Sequence, residues 1–253
     1  MKKGKALFIF LVLALGVFMY FWEPWNARWL NSEPENAVEI LMESRKAVGD
    51  IENYTYKSHI SVGNQVNVDI LDRIDREKDQ QIVDFTWEIP QLSGETSMYV
   101  QGEEVYVLSP LKKKWVKPEE DPSAGPFVKY FYRQLNLVDP VSNVLRTDTQ
   151  NENVSLRSKS GQEYVIEVIP DAGALSELTD SMPPQLKGAE LKEIKQVFRI
   201  SRQSYLPVNY QVYARVSLFG LASMQLEVVS EPEEYDNTEL NIPKELEQKL
   251  KSK

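Results

Sequence analysis

The apolar and polar residues of this chain follow three successive patterns, and each pattern predicts a different kind of element. Residues 6–22 are seventeen consecutive residues without a charge. Residues 37–48 then repeat apolar side chains on one helical stripe, which predicts an amphipathic helix that starts with a capping box at 32–35 and stops at Gly49. From Tyr54 onward the apolar side chains recur at every second position, which predicts β-strands.

The alternating segments are short, and turn signals such as Gly63 and Gly102 separate them. The predicted strands are 54–62, 66–70, 83–89, 98–100, 105–108, 164–169, 197–201, 208–216 and 218–229. Closely spaced strands joined by tight turns predict an antiparallel meander. Short helices are predicted at 127–135 and 139–145, a loop at 118–126, and a short helix with a loop at 172–189. The fold class is therefore α+β, mainly β.

The uncharged run at 6–22 predicts a transmembrane anchor. As a helix it is about 26 Å long, close to the thickness of a bilayer core. Three lysines precede it, which places the N-terminus in the cytoplasm and the bulk of the chain outside. A cleaved signal peptide is the alternative, but Phe21 and Trp22 stand where cleavage requires small residues. The predicted organisation is a cytoplasmic tail (1–5), a single-pass plasma-membrane anchor (6–22), a juxtamembrane spacer (23–33) and one extracytoplasmic domain (34–253).

Charge and cysteine content exclude several functions. Three of the 29 basic residues precede the apolar run, so the rest of the chain carries 26 basic residues against 38 acidic ones, a net charge of −12. A body of this charge repels phosphate, so nucleic acid is not an expected partner. The chain has no cysteine, which excludes disulfides, thiolate metal sites and a lipid-modified cysteine.

The residues that could carry chemistry are few. His59 is the only histidine, and it falls on the polar side of its strand, so a solvated residue is the expected role. Asp69, Asp72 and Asp75 are spaced by three, which leaves two interpretations: a calcium site shared with Glu77, or ion pairs with Arg73 and Arg76. The acidic cluster Glu231, Glu233, Glu234 and Asp236 leaves the same question open. No nucleotide-binding loop or catalytic motif is present, so we expect no enzyme activity, no catalytic residue, no metal and no cofactor.

The order of the elements and their short motifs resembles the LolA-type superfamily, which includes the periplasmic lipoprotein carrier and the mycobacterial lipoproteins of the LppX and LprG type. The resemblance covers about residues 34–253. It rests on an amphipathic helix followed by a series of short motifs, namely Tyr54-Thr55-Tyr56, the hairpin from Met98 to Val107, Lys114-Trp115-Val116-Lys117, Tyr164 to Val168, Tyr205-Leu206-Pro207, Tyr235-Asp236-Asn237 and Ile242-Pro243. The chain departs from the family's carriers in its apparent peptide anchor, which argues against shuttling across an envelope.

The resemblance implies a curved antiparallel sheet that forms an unclosed barrel with helices on its concave side. It also implies a binder of lipid or lipoprotein acyl chains in a bacterial envelope. The apolar stripes nominate nine residues as the lining of a ligand cavity: Val66, Val68, Val83, Phe85, Trp87, Ile89, Val212, Val216 and Leu226. An ordinary filled core is the alternative for these residues. The alternative function is an envelope sensor that binds a protein partner on the same scaffold.

Overall fold

A computed structural model describes residues 36–63, 66–89, 92–109, 111–121, 135, 138–147, 153–159, 161–170, 189–218 and 222–251. The first helix, α1, spans Ala37–Gly49 and confirms the amphipathic helix predicted from its stripe. Asn36 is the N-cap, and its side-chain oxygen accepts a hydrogen bond from the backbone N–H of Glu39 at 2.9 Å. The capping box predicted at 32–35 lies outside the described residues, and the N-cap of α1 is Asn36, which satisfies one of the free N–H groups of the first turn.

The described strands form one antiparallel sheet. The strands are β1 (Asn53–Val62), β2 (Val66–Asp75), β3 (Gln80–Ile89), β4 (Leu92–Gln101), β5 (Glu104–Leu108), β6 (Trp115–Val116), β7 (Asn153–Lys159), β8 (Glu163–Ile169), β9 (Ala189–Ser201), β10 (Pro207–Leu218) and β11 (Ala222–Tyr235). Their order in the sheet is β6-β5-β4-β3-β2-β1-β11-β10-β9-β8-β7. The sheet is unclosed, since β6 and β7 are its two edges. The predicted antiparallel, mainly β fold is confirmed.

Two meanders meet in the middle of this sheet. The first runs outward from β1 to β6, and the second runs back from β7 to β11, where β11 pairs with β1. The connection between the meanders contains a 3₁₀ turn (Pro118–Glu120) and helix α2 (Pro140–Arg146). Asp139 caps α2 by accepting from the backbone N–H groups of Val141 and Ser142, at 2.9 and 3.2 Å. This confirms the start signal read from the sequence.

Each face of the sheet has its own apolar core. On the face that carries Tyr56, Val83 and Phe198, here called the front face, α1 and α2 pack against the strands. On the opposite face, here called the back face, a smaller cluster of Ile82, Tyr99, Tyr106 and Trp115 surrounds Leu246. Leu246 belongs to helix α3 (Lys244–Lys251), which is not among the predicted elements.

The strands β6 and β7 and the helix α3 are elements that the sequence patterns did not predict. β6 has only two residues, and in β7 only Val154 and Leu156 are partly buried, so the apolar alternation is too short to identify a half-buried strand. Only Leu246 of α3 is fully buried, and the Lys249 ammonium bonds the backbone oxygen of Trp115 at 2.5 Å. An element that buries so few side chains leaves no clear pattern in the sequence and is revealed only by the tertiary structure.

The contacts between residues group 36–253 into one unit. None of the helices in the described residues is both long and apolar enough to cross a bilayer. The predicted tail, anchor and spacer, together with most of the predicted helix at 127–135 and most of the predicted excursion at 172–189, lie outside the described residues.

Candidate functional site

The nine residues nominated as a cavity lining all occupy positions on the front face. Strand register fixes this, because positions two apart along a strand share a face. Val68 lies opposite Trp87, and Phe85 lies opposite Ile70, which is two positions from Val68. In the second meander, Val212 of β10 lies opposite Val228 of β11, and Val228 lies opposite Ile60 of β1. The residues therefore come from both meanders but share one surface.

Burial divides the nine residues into two groups. Val68, Val83, Phe85 and Val212 are at most 7% exposed and belong to the front-face core. Val66, Trp87, Val216 and Leu226 are only partly buried. Only the backbone of Ile89 is described. The first group is thus filled core, the alternative that the sequence analysis left open for each residue.

The partly buried group gathers at one end of the front face. Across β1, β2 and β3, Ser58, Ile70 and Phe85 form a fully buried row. One step toward the hairpin turns, the row is Ile60, Val68 and Trp87, of which Ile60 and Trp87 are partly exposed to solvent. We call the partly buried residues at this end the apolar rim: Ile60, Val66, Trp87, Val216 and Leu226. The rim carries no charged side chain.

The opposite end of the front face is polar and buried, and the sequence analysis did not identify it as a site. Asp72 is 0% exposed, and its Oδ2 accepts hydrogen bonds from the Tyr56 hydroxyl and the Gln81 amide, each at 2.7 Å. Its Oδ1 has no hydrogen-bond partner among the described residues. A signal existed in the sequence, because Asp72 interrupts the apolar alternation of Val68, Ile70 and Ile74.

A second buried carboxylate stands beside Asp72. The Asp139 side chain accepts from the Tyr54 hydroxyl at 2.7 Å, and the rings of Tyr54 and Tyr56 are stacked with centroids 6.2 Å apart. Burial is the main cause that raises the pKa of Asp72. The Tyr56 and Gln81 hydrogen bonds lower this pKa and the nearby Asp139 charge raises it, and the net result is a pKa of about 7. Burial also raises the pKa of both tyrosines. The cluster therefore holds a proton near neutral pH and ties α2 to the central strands.

The acidic residues spaced by three do not meet. Strand alternation puts Asp72 on the front face and Asp69 and Asp75 on the back face. Asp69 contacts His59 at 2.8 Å, and Asp75 pairs with Lys78 at 2.6 Å. The described residues contain no group of three or more side chains that could hold a metal ion.

The predicted partners of these aspartates also bond elsewhere. Arg73 pairs with Asp84 at 2.7 Å, while Arg76 donates to the backbone oxygens of Val48 and Ile51. In the second acidic cluster, Glu233 pairs with Lys57 at 2.5 Å, and Asp236 accepts from the backbone N–H of Glu52. Ion pairing is thus the outcome at several of these positions, although with other partners than the ones expected.

An open groove of about 590 Å³ lies on the back face, where Lys57, His59, Asp69, Asp84 and Glu231 contribute to its lining. Within the groove His59 pairs with Asp69, whereas Lys57 and Asp84 pair with Glu233 and Arg73. Leu71 and Val229 add apolar surface to the lining, so the groove is mixed in character. His59 is half-exposed there, as expected for a solvated residue.

No protein-family model matches this sequence, and no curated protein is significantly similar to it. The resemblance to the LolA-type superfamily therefore stays a hypothesis. The site has to be interpreted from its own geometry.

Proposed function

We propose that this protein is a membrane-tethered, non-enzymatic binder of lipid or lipoprotein acyl chains, and that it acts on the outer side of a bacterial plasma membrane. The observation that carries the proposal is the apolar rim. Five partly buried apolar side chains from five strands share one end of the front face, beside a core that continues the same apolar surface.

The chemistry of the rim suits a hydrocarbon chain. Contact with apolar side chains stabilises a bound chain by roughly 0.8 kcal/mol for each methylene removed from water. The side chains of Ile60, Val66 and Leu226 offer a ligand neither a charge nor a hydrogen-bonding group. The polar cluster around Asp72 lies at the other end of the face and is fully buried, so the ligand contacts the rim and leaves that cluster in place.

We further propose that the sheet curves around α1 and α2 as an unclosed barrel of the LolA type. Two observations support this architecture. Both helices pack on the same face, and the two edge strands, β6 and β7, are not paired with each other. A sheet bent over its helices leaves apolar space at the end where the helices stop.

The tether at residues 6–22 belongs to the same proposal. Its support is the uncharged run and the three lysines before it. The intact mass of the protein extracted from membranes tests it. A mass that includes residues 1–22 supports the anchor, whereas a mature N-terminus after Trp22 contradicts it.

Photolabelling of the full-length protein in membranes tests the binding function. The probe is a palmitic acid derivative that carries a diazirine and an alkyne, and labelled peptides are mapped by mass spectrometry. We expect label on the peptides that contain Val66 and Trp87. The substitution Trp87→Asp should remove most of this label, because it places a charge in the rim.

The matched control is Thr86→Asp, which adds the same carboxylate to the neighbouring, exposed position on the back face. Leu226→Gln is a milder second rim variant, and circular dichroism checks that each variant is folded. Label confined to residues 6–22, or equal labelling of the wild type and both folded rim variants, would contradict lipid binding. A protein crosslinked at the rim in place of the probe would favour the alternative, an envelope domain that binds a partner protein.

A further inference from the structure

Gly94 and Trp87 form an unusually close pair within the apolar rim. They lie opposite each other on β4 and β3. A Cβ atom added to Gly94 would lie 2.3 Å from Cζ2 and 2.7 Å from Cε2 of the Trp87 indole. Ordinary contacts of a Cβ begin at 3.4 Å, so the six-membered ring of the indole occupies the place of a side chain at position 94.

The close approach explains a glycine in the interior of a strand. Glycine weakens a strand because it has no side chain to pack and more freedom to lose on folding. Here the backbone of Gly94 has no left-handed φ that would require glycine. What requires it is the indole, which lies against β4 instead of standing away from the sheet.

The orientation of the indole determines how far the apolar surface extends from the strands. Strand side chains ordinarily stand roughly perpendicular to the sheet. An indole that lies over a glycine of the neighbouring strand covers both strands and extends less far from the sheet. The indole lies on the same face as Val68 and Ile60, and its side chain is only partly buried.

We propose that Gly94 is the position that determines which acyl chains the rim accepts, because it lets the Trp87 indole lie flat and leaves room for one unbranched hydrocarbon chain above it. This inference rests on the proposed binding function and specifies its ligand class. Gly94 is a positioning residue, and Trp87 is the residue that touches the chain.

The test compares Gly94→Ala with the wild type in the full-length protein, reconstituted in phospholipid nanodiscs. Its first measurement is the ¹⁹F spectrum of protein labelled with fluorotryptophan, in which Trp87→Phe identifies the Trp87 signal. The second is photolabelling with the palmitic acid probe and with a methyl-branched phytanic acid probe. We expect Gly94→Ala to shift the Trp87 signal and to reduce palmitic acid labelling by about fourfold, the factor that corresponds to one lost methylene contact.

Two further variants make the test specific. Trp87→Ala removes the ring and should raise phytanic acid labelling relative to palmitic acid labelling, because it lowers the surface. The double variant Trp87→Phe/Gly94→Ala should recover palmitic acid labelling, since the shorter phenyl ring leaves room for the alanine methyl. Gly161→Ala is the matched control, because a Cβ there meets nothing within 4 Å.

The possible results separate this inference from the function on which it rests. A shifted Trp87 signal with unchanged labelling by both probes would overturn the inference and leave the glycine with a packing role alone. An unshifted signal would overturn its steric premise. If the wild type is labelled no more strongly than Trp87→Asp, the proposed binding function fails first, and the ¹⁹F shift still reports on the glycine.

Discussion

Asp72 on the front face and Glu167 on the back face are both buried carboxylates, and the two are stabilised in opposite ways. On the front face, Asp72 is surrounded by neutral donors from Tyr56 and Gln81. On the back face, Glu167 is 3% exposed and bonds Arg157 together with Lys195, whose ammonium lies at 2.6 Å. The same functional group thus accepts hydrogen bonds from neutral donors on one face and from two cations on the other.

The difference shows that neighbours decide the charge of a buried acid. Arg157 and Lys195 hold the pKa of Glu167 below its usual range, although burial acts against them. The cations are 57% and 41% exposed, so water and salt weaken their effect. Around Asp72 burial dominates and the pKa rises to about 7. The front face therefore favours a protonated carboxyl and the back face an ionised one.

The largest effect that follows is a dependence of stability on pH. A carboxyl whose pKa is raised by folding contributes stability that is complete at low pH and is lost as the pH rises through the folded-state pKa. Asp72 should therefore cost the protein about 3 kcal/mol of unfolding free energy between pH 5 and pH 8. Chemical denaturation should show that the unfolding free energy of Asp72→Asn hardly changes between pH 5 and pH 8.

The control for this prediction is Asp84→Asn, which removes a carboxyl from the adjacent strand and the back face. A wild-type slope that Asp72→Asn leaves unchanged would show that Asp72 is already ionised in the folded protein.

A smaller effect on stability should distinguish Tyr56 from Tyr54, the tyrosines that donate to Asp72 and Asp139. Tyr56→Phe removes one of the two donors to Asp72, and we expect it to cost about 2 kcal/mol of stability, because a buried carboxyl is left with one partner. Tyr54→Phe is the matched variant. It should cost less, since Asp139 keeps its bonds to Val141 and Ser142. Equal unfolding free energies for the two variants would show that Asp72 does not depend on the Tyr56 hydroxyl.

The smallest effect concerns Glu167 on the back face, whose contribution to stability changes with pH in the opposite direction to that of Asp72. A carboxyl whose pKa is lowered by folding contributes stability above its unfolded-state pKa and loses it as the pH falls through the folded value. Glu167→Gln should cost about 1 kcal/mol at pH 7 and progressively less below about pH 4. The cost should also shrink in high salt, because both cations are accessible to solvent. A cost that stays constant from pH 7 to pH 3 would mean that packing, and not charge, is what the substitution removes.

These two acids also show how far sequence reasoning reaches. Alternation places Asp72 among apolar residues of its own face, so the sequence contains a sign that Asp72 is unusual. Glu167 between Ile166 and Val168 follows the ordinary alternation of a strand and carries no such sign. The partners of these acids cannot be identified from the sequence. Gln81, Lys195 and Asp139 lie on other strands or on α2, and no local pattern connects them to Asp72 or Glu167.

The sequence by itself determined the helix α1, the start of α2, most strands and the face to which each strand residue belongs. These follow from the period of two or 3.6 residues, which is a local property of the backbone. Only the tertiary structure decided the pairing of β1 with β11, the place of α3 on the back face and the division of the nine nominated residues into filled core and rim. Each of these depends on residues that are distant in the chain, and on where the covering helices end. The flat indole over Gly94 is the sharpest case, because a glycine in a strand acquires its meaning from the side chain that lies on it.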